Sequence, residues 1–354
     1  MLQNIKIEGF KSIKTLDLKL SPINLLIGSN GVGKSNFISF FKLVNNIYEQ
    51  RLQQYSLKSG VDNLLYYGRK NTNEIKGYLD FGNNAYQFNL LPTDEGSLFI
   101  SREDSILNNQ SQYSKTFYDQ NIKESRIKEK YRIRDNYLSE HLESYKIYHF
   151  HDTSISAPLR SIANISDNRV LGAEGGNLPA FLFYLQEKHP KHFKIIEMVI
   201  QSVFPFFDRF DLAPFFLDEN KIELEWFEKE HPEHPFYARH FSDGTLRFIA
   251  LTTLFLQPNL PKTIILDEPE LGLHPFAIAK LAGMIKKASV HSQIIIATQS
   301  VNLVNEFSAD DIIVANRADN QTVFKRQSED SLKSWLDVYS IGELWEKNVI
   351  GGRL

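Results

Sequence analysis

Cysteine is missing from all 354 residues, and that absence removes disulfides, thiolate metal sites and cysteine nucleophiles from consideration. It suits a reducing cytosol. An excess of charge of one sign is missing too. Forty basic side chains stand against 43 acidic ones, a net charge of −3, so a nucleic acid could be held only by a local patch and not by an overall basic field. No apolar run approaches the ~20 residues that cross a bilayer. The opening stretch, MLQNIKIEGFKSI, alternates polar with apolar and carries Glu8, unlike the unbroken apolar core of a signal peptide. With 42% hydrophobic residues there is ample material for a core. The expectation is a folded, soluble, cytoplasmic protein of one large domain or two lobes, with no membrane partner and no internal repeat.

Hydrophobic periodicity orders the chain. Ile5–Ile13 and Thr15–Leu20 alternate and predict a β-hairpin, and the apolar run Ile23–Ile27 predicts a buried strand. From Lys34 to about Glu49, the residues Phe37, Phe40, Phe41, Val44 and Ile47 recur at helical spacing, so the glycines before them join strand to helix. Residues 74–91 alternate again and extend an antiparallel sheet. Between Pro92 and Ser144 the composition turns polar, which reads as an insertion able to hold helices but without sustained heptads. Order resumes at Tyr145–Phe150. Helices are expected near Leu178–Leu185 and His192–Phe204, and a strand at Lys221–Trp226. The last third reads strand Thr263–Leu266, helix Pro275–Ala288, strand Gln293–Ala297, helix Val301–Phe307 and strand Asp311–Ala315, the rhythm of a parallel α/β sheet.

Three stretches carry chemistry. GSNGVGKS, Gly28 to Ser35, fits G-x-x-x-x-G-K-[ST] between a strand and a helix. Glycines let the backbone wrap phosphates, Lys34 neutralises β/γ charge, and the Ser35 hydroxyl suits Mg²⁺. Asn30, Gly31, Val32, Gly33, Lys34, Ser35 and Asn36 are therefore candidate nucleotide contacts. TIILDEPELGLHP, Thr263 to Pro275, delivers Asp267 and Glu268 at the end of a buried strand, Asp267 for the Mg²⁺ shell and Glu268 to polarise an attacking water. FSDGTLRF, Phe241 to Phe248, runs a serine, an acid and a glycine into an apolar helix, as if to present backbone N–H groups to an anion. The plain alternative is a helix cap by Ser242 or Asp243.

Taken in order, phosphate loop, FSDGT, LDEPELGLHP and ATQS resemble the ABC-type ATPase heads of the SMC/RecF/OLD-like superfamily. YHFHDTS, GGNLPAFL and the tail IGELWEKNVIGGRL resemble stand-alone bacterial ATPases of the AAA_21 type. The resemblance implies an α/β fold: one ABC ATPase head over 1–354, with a P-loop core of mixed β-sheet, an N-terminal antiparallel β subdomain and a helical lobe. It divides the chain as 1–91, 92–144 and 145–354. It implies that Ser242 and Gly244 cap the γ-phosphate of ATP bound by a second copy, head to tail. Gln299 fills the position of the switch histidine, and a glutamine can donate to phosphate or orient water without carrying charge. Asp152 would face the Mg²⁺ water shell, and Lys11 and Ser12 of GFKSI would lie beside adenine and ribose.

The implied activity is Mg²⁺-dependent ATP hydrolysis coupled to engagement of two or more heads. The absence of an N-K-x-D guanine-reading motif agrees with ATP. The matching tail, together with no TOPRIM acidic signature, implies a complete head whose effector, a TOPRIM-type nuclease, is a separate polypeptide acting in phage defence or DNA maintenance. The alternative is a nucleotide-gated scaffold in which binding rather than turnover carries the function. DNA is a further candidate partner through Lys123, Arg126, Lys128, Lys130, Arg132 and Arg134, whose acidic neighbours equally fit a solvated helix. The HFHD cluster and the EHPEHP histidines, His231 and His234, read as local hydrogen bonding and a surface turn.

Overall fold

The computed structural model describes residues 1–109, 112–118, 120–129 and 133–352. Strands β1 (Asn4–Phe10), β2 (Ile13–Lys19) and β3 (Ile23–Ile27) lead into helix α1 (Lys34–Tyr48), followed by α2 (Leu52–Ser59) and α3 (Val61–Leu64). Strands β4 (Ile75–Asp80), β5 (Asn84–Pro92), β6 (Leu98–Asn109) and β7 (Gln112–Phe117) come next, then α4 (Ile133–Glu143) and β8 (Ile147–Tyr148). After them run β9 (Ala163–Asn164), α5 (Leu178–Lys188), α6 (Pro190–Val203), β10 (Phe207–Asp211), β11 (Lys221–Ile222), β12 (Glu225–Glu228) and β13 (Phe236–Tyr237). Helix α7 (Asp243–Leu256), β14 (Thr263–Asp267) and α8 (Pro275–Ala288) follow. The chain closes with β15 (Gln293–Ala297), α9 (Val301–Val304), β16 (Ile312–Ala318), β17 (Gln321–Arg326), α10 (Glu329–Leu336) and α11 (Ile341–Glu346).

Two compact units share these elements. The first holds Met1–Ile147, Lys262–Ile265 and Ser292–Leu354, and the second Tyr148–Pro261 and Leu266–His291. In the first unit an antiparallel sheet runs β2-β1-β4-β5-β6-β7. A second sheet has the order β17-β16-β3-β15-β14-β8, with β3 parallel to both β15 and β16. Every residue of β3 and of β15 is buried, as expected of central strands covered on both faces.

Helix α1 is the keystone of this unit. Phe37, Phe40, Phe41, Val44 and Ile47 are fully buried, which fulfils the helical spacing. Phe40 meets Phe10 of β1 and Phe88 of β5 at 5.4 and 6.0 Å between ring centroids, while Phe37 meets Phe324 of β17 at 5.2 Å. The helix is thus wedged against both sheets. Cutting any one of these rings back to alanine would cost about 3–5 kcal/mol.

Three expectations need correction. The polar stretch 92–144 carries a long β-hairpin, β6 and β7, before its one described α-helix. Several of its polar residues are buried, and Glu103 among them is paired: it accepts from Tyr86 Oη at 2.6 Å, from the Arg126 N–H at 2.9 Å and from Ser125 Oγ. Burial holds the Glu103 carboxyl above its usual range. Part of the polarity there belongs to an internal network. The expected strand Lys221–Trp226 is split, because β11 pairs with β9 whereas β12 pairs with β10 and β13. The expected helix Val301–Phe307 stops at Val304.

The basic run also changes character. Arg134 is buried and donates from Nε to Ser105 Oγ at 3.0 Å, and Lys128 pairs with Glu49 at 2.8 Å. Glu124 caps α2, accepting from the N–H groups of Leu52 and Gln53. Lys130 and Arg132 lie outside the described residues. Among the described helices none is long and apolar enough to cross a membrane.

Candidate nucleotide site

The phosphate loop lies in the first unit, between the end of β3 and the start of α1. Gly33, the residue before α1, has φ +109°, and a methyl there would stand 2.2 Å from Thr322 Oγ1 and 2.7 Å from Ser12 Oγ. Only glycine meets both demands. Lys34 is 6% exposed, and its Nζ donates to the carbonyl oxygens of Gly28 at 2.6 Å and Ser29 at 3.1 Å. No side chain caps α1, and its first turn holds no acid. The positive end of a 15-residue helix without a side-chain cap therefore faces the loop together with a sequestered ammonium, a setting that fits a polyphosphate.

A directed chain of hydrogen bonds fixes the loop from outside. Asn36 Nδ2 donates to Ser12 Oγ at 2.7 Å, Ser12 Oγ bonds Thr322 Oγ1 at 2.7 Å, and Thr322 Oγ1 donates to the Val32 carbonyl at 2.6 Å. Each hydroxyl has one proton, so the Ser12 proton goes to Thr322. Ser12 and Asn36, singled out as nucleotide contacts, thus also brace the loop.

Beside them opens a cavity of about 650 Å³ lined in part by Lys11, Ser12, Asn36, Asn63, Tyr67 and Arg317. That is the size of a small-ligand pocket. Tyr67 Oη donates to the Asn320 carbonyl and accepts from Arg317 Nη2, both at 3.0 Å. Burial and then Lys42 depress the pKa of Lys11, so an anionic ligand would relieve a desolvated ammonium.

Gln299 leaves the parallel sheet at the edge where the loop begins. Ala297 of β15 lies opposite Leu26 of β3, and the Thr298 N–H donates to the Leu26 carbonyl at 3.0 Å. Gln299 is exposed, and Ser300 after it caps α9.

The second unit assembles the other motifs. Asp267 ends β14, and Glu268 follows with φ +42°, a left-handed backbone that a non-glycine residue adopts at a cost and that aims its side chain. Ser242 caps α7: its Oγ accepts from the Thr245 N–H at 3.2 Å and bonds Thr245 Oγ1 at 2.7 Å. Arg247, buried within α7, donates to the carbonyls of Phe150 at 2.8 Å and His151 at 3.0 Å. Arg160 donates to the carbonyls of Thr153 at 2.9 Å and Phe241 at 3.1 Å, and to the Asp243 carboxylate at 3.0 Å. A methyl on Gly244 would stand 2.4 Å from the Gly272 carbonyl oxygen. The loop after β8, the start of α7 and the turn after Glu268 therefore form one packed cluster.

Asp152 Oδ1 accepts from the Ser154 N–H at 3.0 Å and Oγ at 2.7 Å, which lowers its pKa and makes it the organiser of its own turn. His231 and His234 sit exposed in a turn. Among the described residues, His, Cys, Asp and Glu side chains form no group of three able to hold a metal. Ser35 in the first unit and Asp267 in the second each carry a hard oxygen of the kind Mg²⁺ takes alongside phosphate oxygens. Sequence reasoning missed Thr322, Arg317, Tyr67, Arg160 and Arg247. Of these, only Arg247 stands inside a recognised motif, and its helical position beside a capped start would have been read as exposed.

Comparison with known proteins now decides the family. The profile described as "AAA domain, putative AbiEii toxin, Type IV TA system", AAA_21, matches residues 23–305. The chain belongs to the AAA_21 family. No protein with a curated description matches it. Among solved structures, an SMC head bound to the C-winged helix domain of ScpA is similar over 94% of this chain and 99% of that one, with a TM-score of 0.58 and 17% identity. An SMC head with an extended coiled coil, bound to the C-terminal domain of ScpA derived from Pyrococcus furiosus, covers 95% and 98% with a TM-score of 0.54 and 14% identity. The AAA_21 chain thus has the α/β fold of SMC-type P-loop ATPase heads.

Proposed function

We propose that this AAA_21 chain binds and hydrolyses ATP and that ATP drives head-to-tail pairing of two copies, which in turn regulates a separate effector. The observation that carries the reading is the uncapped α1 start behind a glycine loop, with Lys34 buried and folded onto the loop's own carbonyls. Lys34 Nζ can exchange these carbonyls for phosphate oxygens, which carry full negative charge. Mg²⁺, held by Ser35 and Asp267, would neutralise charge on the β- and γ-phosphates. Glu268 orients the attacking water as general base, and Gln299 donates to the γ-phosphate. Asp152 would face the Mg²⁺ water shell, and Lys11 and Ser12 would lie beside adenine and ribose.

Ser242 caps α7 by accepting from the Thr245 N–H, and the positive end of that helix favours contact with a second copy's γ-phosphate through Ser242 and Gly244. The SMC heads of similar fold are described as bound to ScpA, and that supports a partner protein here as well. A TOPRIM-type nuclease in phage defence or DNA maintenance is the effector we favour, with DNA as a further ligand.

Two substitutions test this. Lys34→Ala should abolish ATP binding and phosphate release, and retained release would overturn the reading. Glu268→Gln should bind ATP and stay paired without turnover. If its biological effect persists undiminished, the chain is a nucleotide-gated scaffold and hydrolysis is incidental.

A further inference from the structure

The Gly28–Ser29 peptide, at the entrance to the phosphate loop, is gripped at both ends. Its carbonyl oxygen accepts from Lys34 Nζ at 2.6 Å, and its N–H donates to the carbonyl oxygen of Gly352 at 2.6 Å. Gly352 is itself held: its N–H donates to Asn316 Oδ1 on β16 at 2.7 Å. The segment reaches this seat by way of α11, where the Gly342 N–H donates to Asn305 Oδ1 at 2.7 Å, and through buried Trp345 and Ile350.

The seat accepts backbone alone. Gly352 is buried with φ +85°, and a methyl there would meet Val314 Cγ1 at 2.9 Å, Trp345 Nε1 at 3.1 Å and the Gly28 Cα at 3.3 Å. Nothing in the G-x-x-x-x-G-K-[ST] pattern calls for a partner from so far along the chain.

We infer that Gly352, clamped by Asn316, is a positioning strut for the phosphate loop, so that the segment after α11 sets how tightly this chain takes the polyphosphate of a nucleotide. A peptide held at its carbonyl by an ammonium and at its N–H by a fixed carbonyl cannot flip. The loop then waits in one conformation, and binding pays less for ordering it. When Lys34 moves to phosphate, the Gly352 bond is the one that keeps this peptide in place. The inference rests on the ATP reading and deepens it.

Titration of the full chain with the fluorescent nucleotide mant-ATP and Mg²⁺ separates the two. Binding by the parent and its loss in Lys34→Ala test the ATP reading, and a parent that binds no mant-ATP overturns that reading. The strut is tested by Asn316→Ala, which removes the acceptor, and by Gly352→Pro, which removes the N–H and forbids the positive φ. Each should weaken mant-ATP by about tenfold, the loss of roughly one net hydrogen bond to the loop. In Asn316→Ala the unliganded melting temperature should fall by only a few degrees, the size of one lost hydrogen bond. Asn316→Asp keeps an acceptor oxygen and should restore binding, which general loosening of the fold would not allow. Affinity within about twofold of the parent in both disruptive variants overturns the strut. Failure of both to fold overturns it equally, since the segment would then be an ordinary part of the core.

Discussion

Gly244 and Gly272 stand in direct contact, the first at the start of α7 and the second in the turn after Glu268, with no room for a side chain between them. Arg247 closes the same corner, since a methyl on Gly272 would meet its Nη1 at 2.9 Å. The residues proposed to cap a second copy's phosphate are thus set by the turn that follows the proposed general base.

Gly244→Ala should therefore uncouple pairing from folding. The methyl, 2.4 Å from the Gly272 carbonyl oxygen, forces the α7 start or the turn to move by on the order of 1 Å while the apolar face of α7 stays buried. Misplacement on this scale costs about a hundredfold in a positioned reaction. The expected outcome is a folded chain with near-normal mant-ATP binding, no ATP-dependent self-association in light scattering on a Glu268→Gln background, and phosphate release down by that factor. Normal self-association would show that the contact is only packing.

Thr322→Val tests the chain of donors that braces the loop. Valine keeps the shape but leaves the Val32 carbonyl and the Ser12 hydroxyl without their partner, at a cost of about 1–2 kcal/mol. Nucleotide affinity should fall about tenfold, and Thr322→Ser should recover most of it. Equal affinities in Thr322→Val and the parent would show that Gly33 and Asn36 suffice.

Arg247→Met should destabilise the fold by about 2–4 kcal/mol, because the buried guanidinium donates to the carbonyls of both Phe150 and His151. Burial lowers its pKa without threatening its charge. A shift of the urea midpoint with unchanged slope measures the loss. A shift near zero would mean that the loop before Asp152 is held by other contacts.

How far the chain could be read in advance follows from where its constraints lie. The phosphate loop, the Asp267–Glu268 strand end and the Ser242 start are local patterns whose chemistry is written within a few residues, while periodicity marked α1 by its buried face and an unbroken apolar run marked β3, which is buried throughout. Residues 92–144 read, from their polar composition, as an insertion able to hold helices, and composition could not show the hairpin there or that Glu103, Asp104 and Asp135 are fully buried. Thr322 and Ser12 are 310 residues apart, and Gly352 meets Ser29 from the other end of the sequence. No spacing within either stretch reports such pairings, since the fold alone supplies the neighbour. Lys11 stood out only through its motif, whereas its cavity partners Tyr67 and Arg317 belong to separate turns with no shared pattern.

The last prediction concerns acid. His141 on α4 is 5% exposed, flanked by Phe81 and Tyr137 with ring centroids at 4.9 Å from each, and its Nδ1 has no partner among the described residues. Burial first, then the amino terminus and Lys262, hold its pKa at about 4. An unfolded histidine titrates near 6.5. Between those values the unfolded chain binds the proton that the folded chain refuses, so this residue's stabilising contribution, complete above pH 6.5, drains away as pH falls and is exhausted below about 4. The full difference is on the order of 3 kcal/mol, with about 2 kcal/mol already gone at pH 5. His141→Leu keeps an apolar filling between the two rings and removes the titration. Urea unfolding at pH 7.5 and pH 5 should then show the variant losing about 2 kcal/mol less than the parent over that interval. If parent and variant lose equal stability, the acid sensitivity of this unit lies in its carboxylates, and His141 is protonated alike in both states.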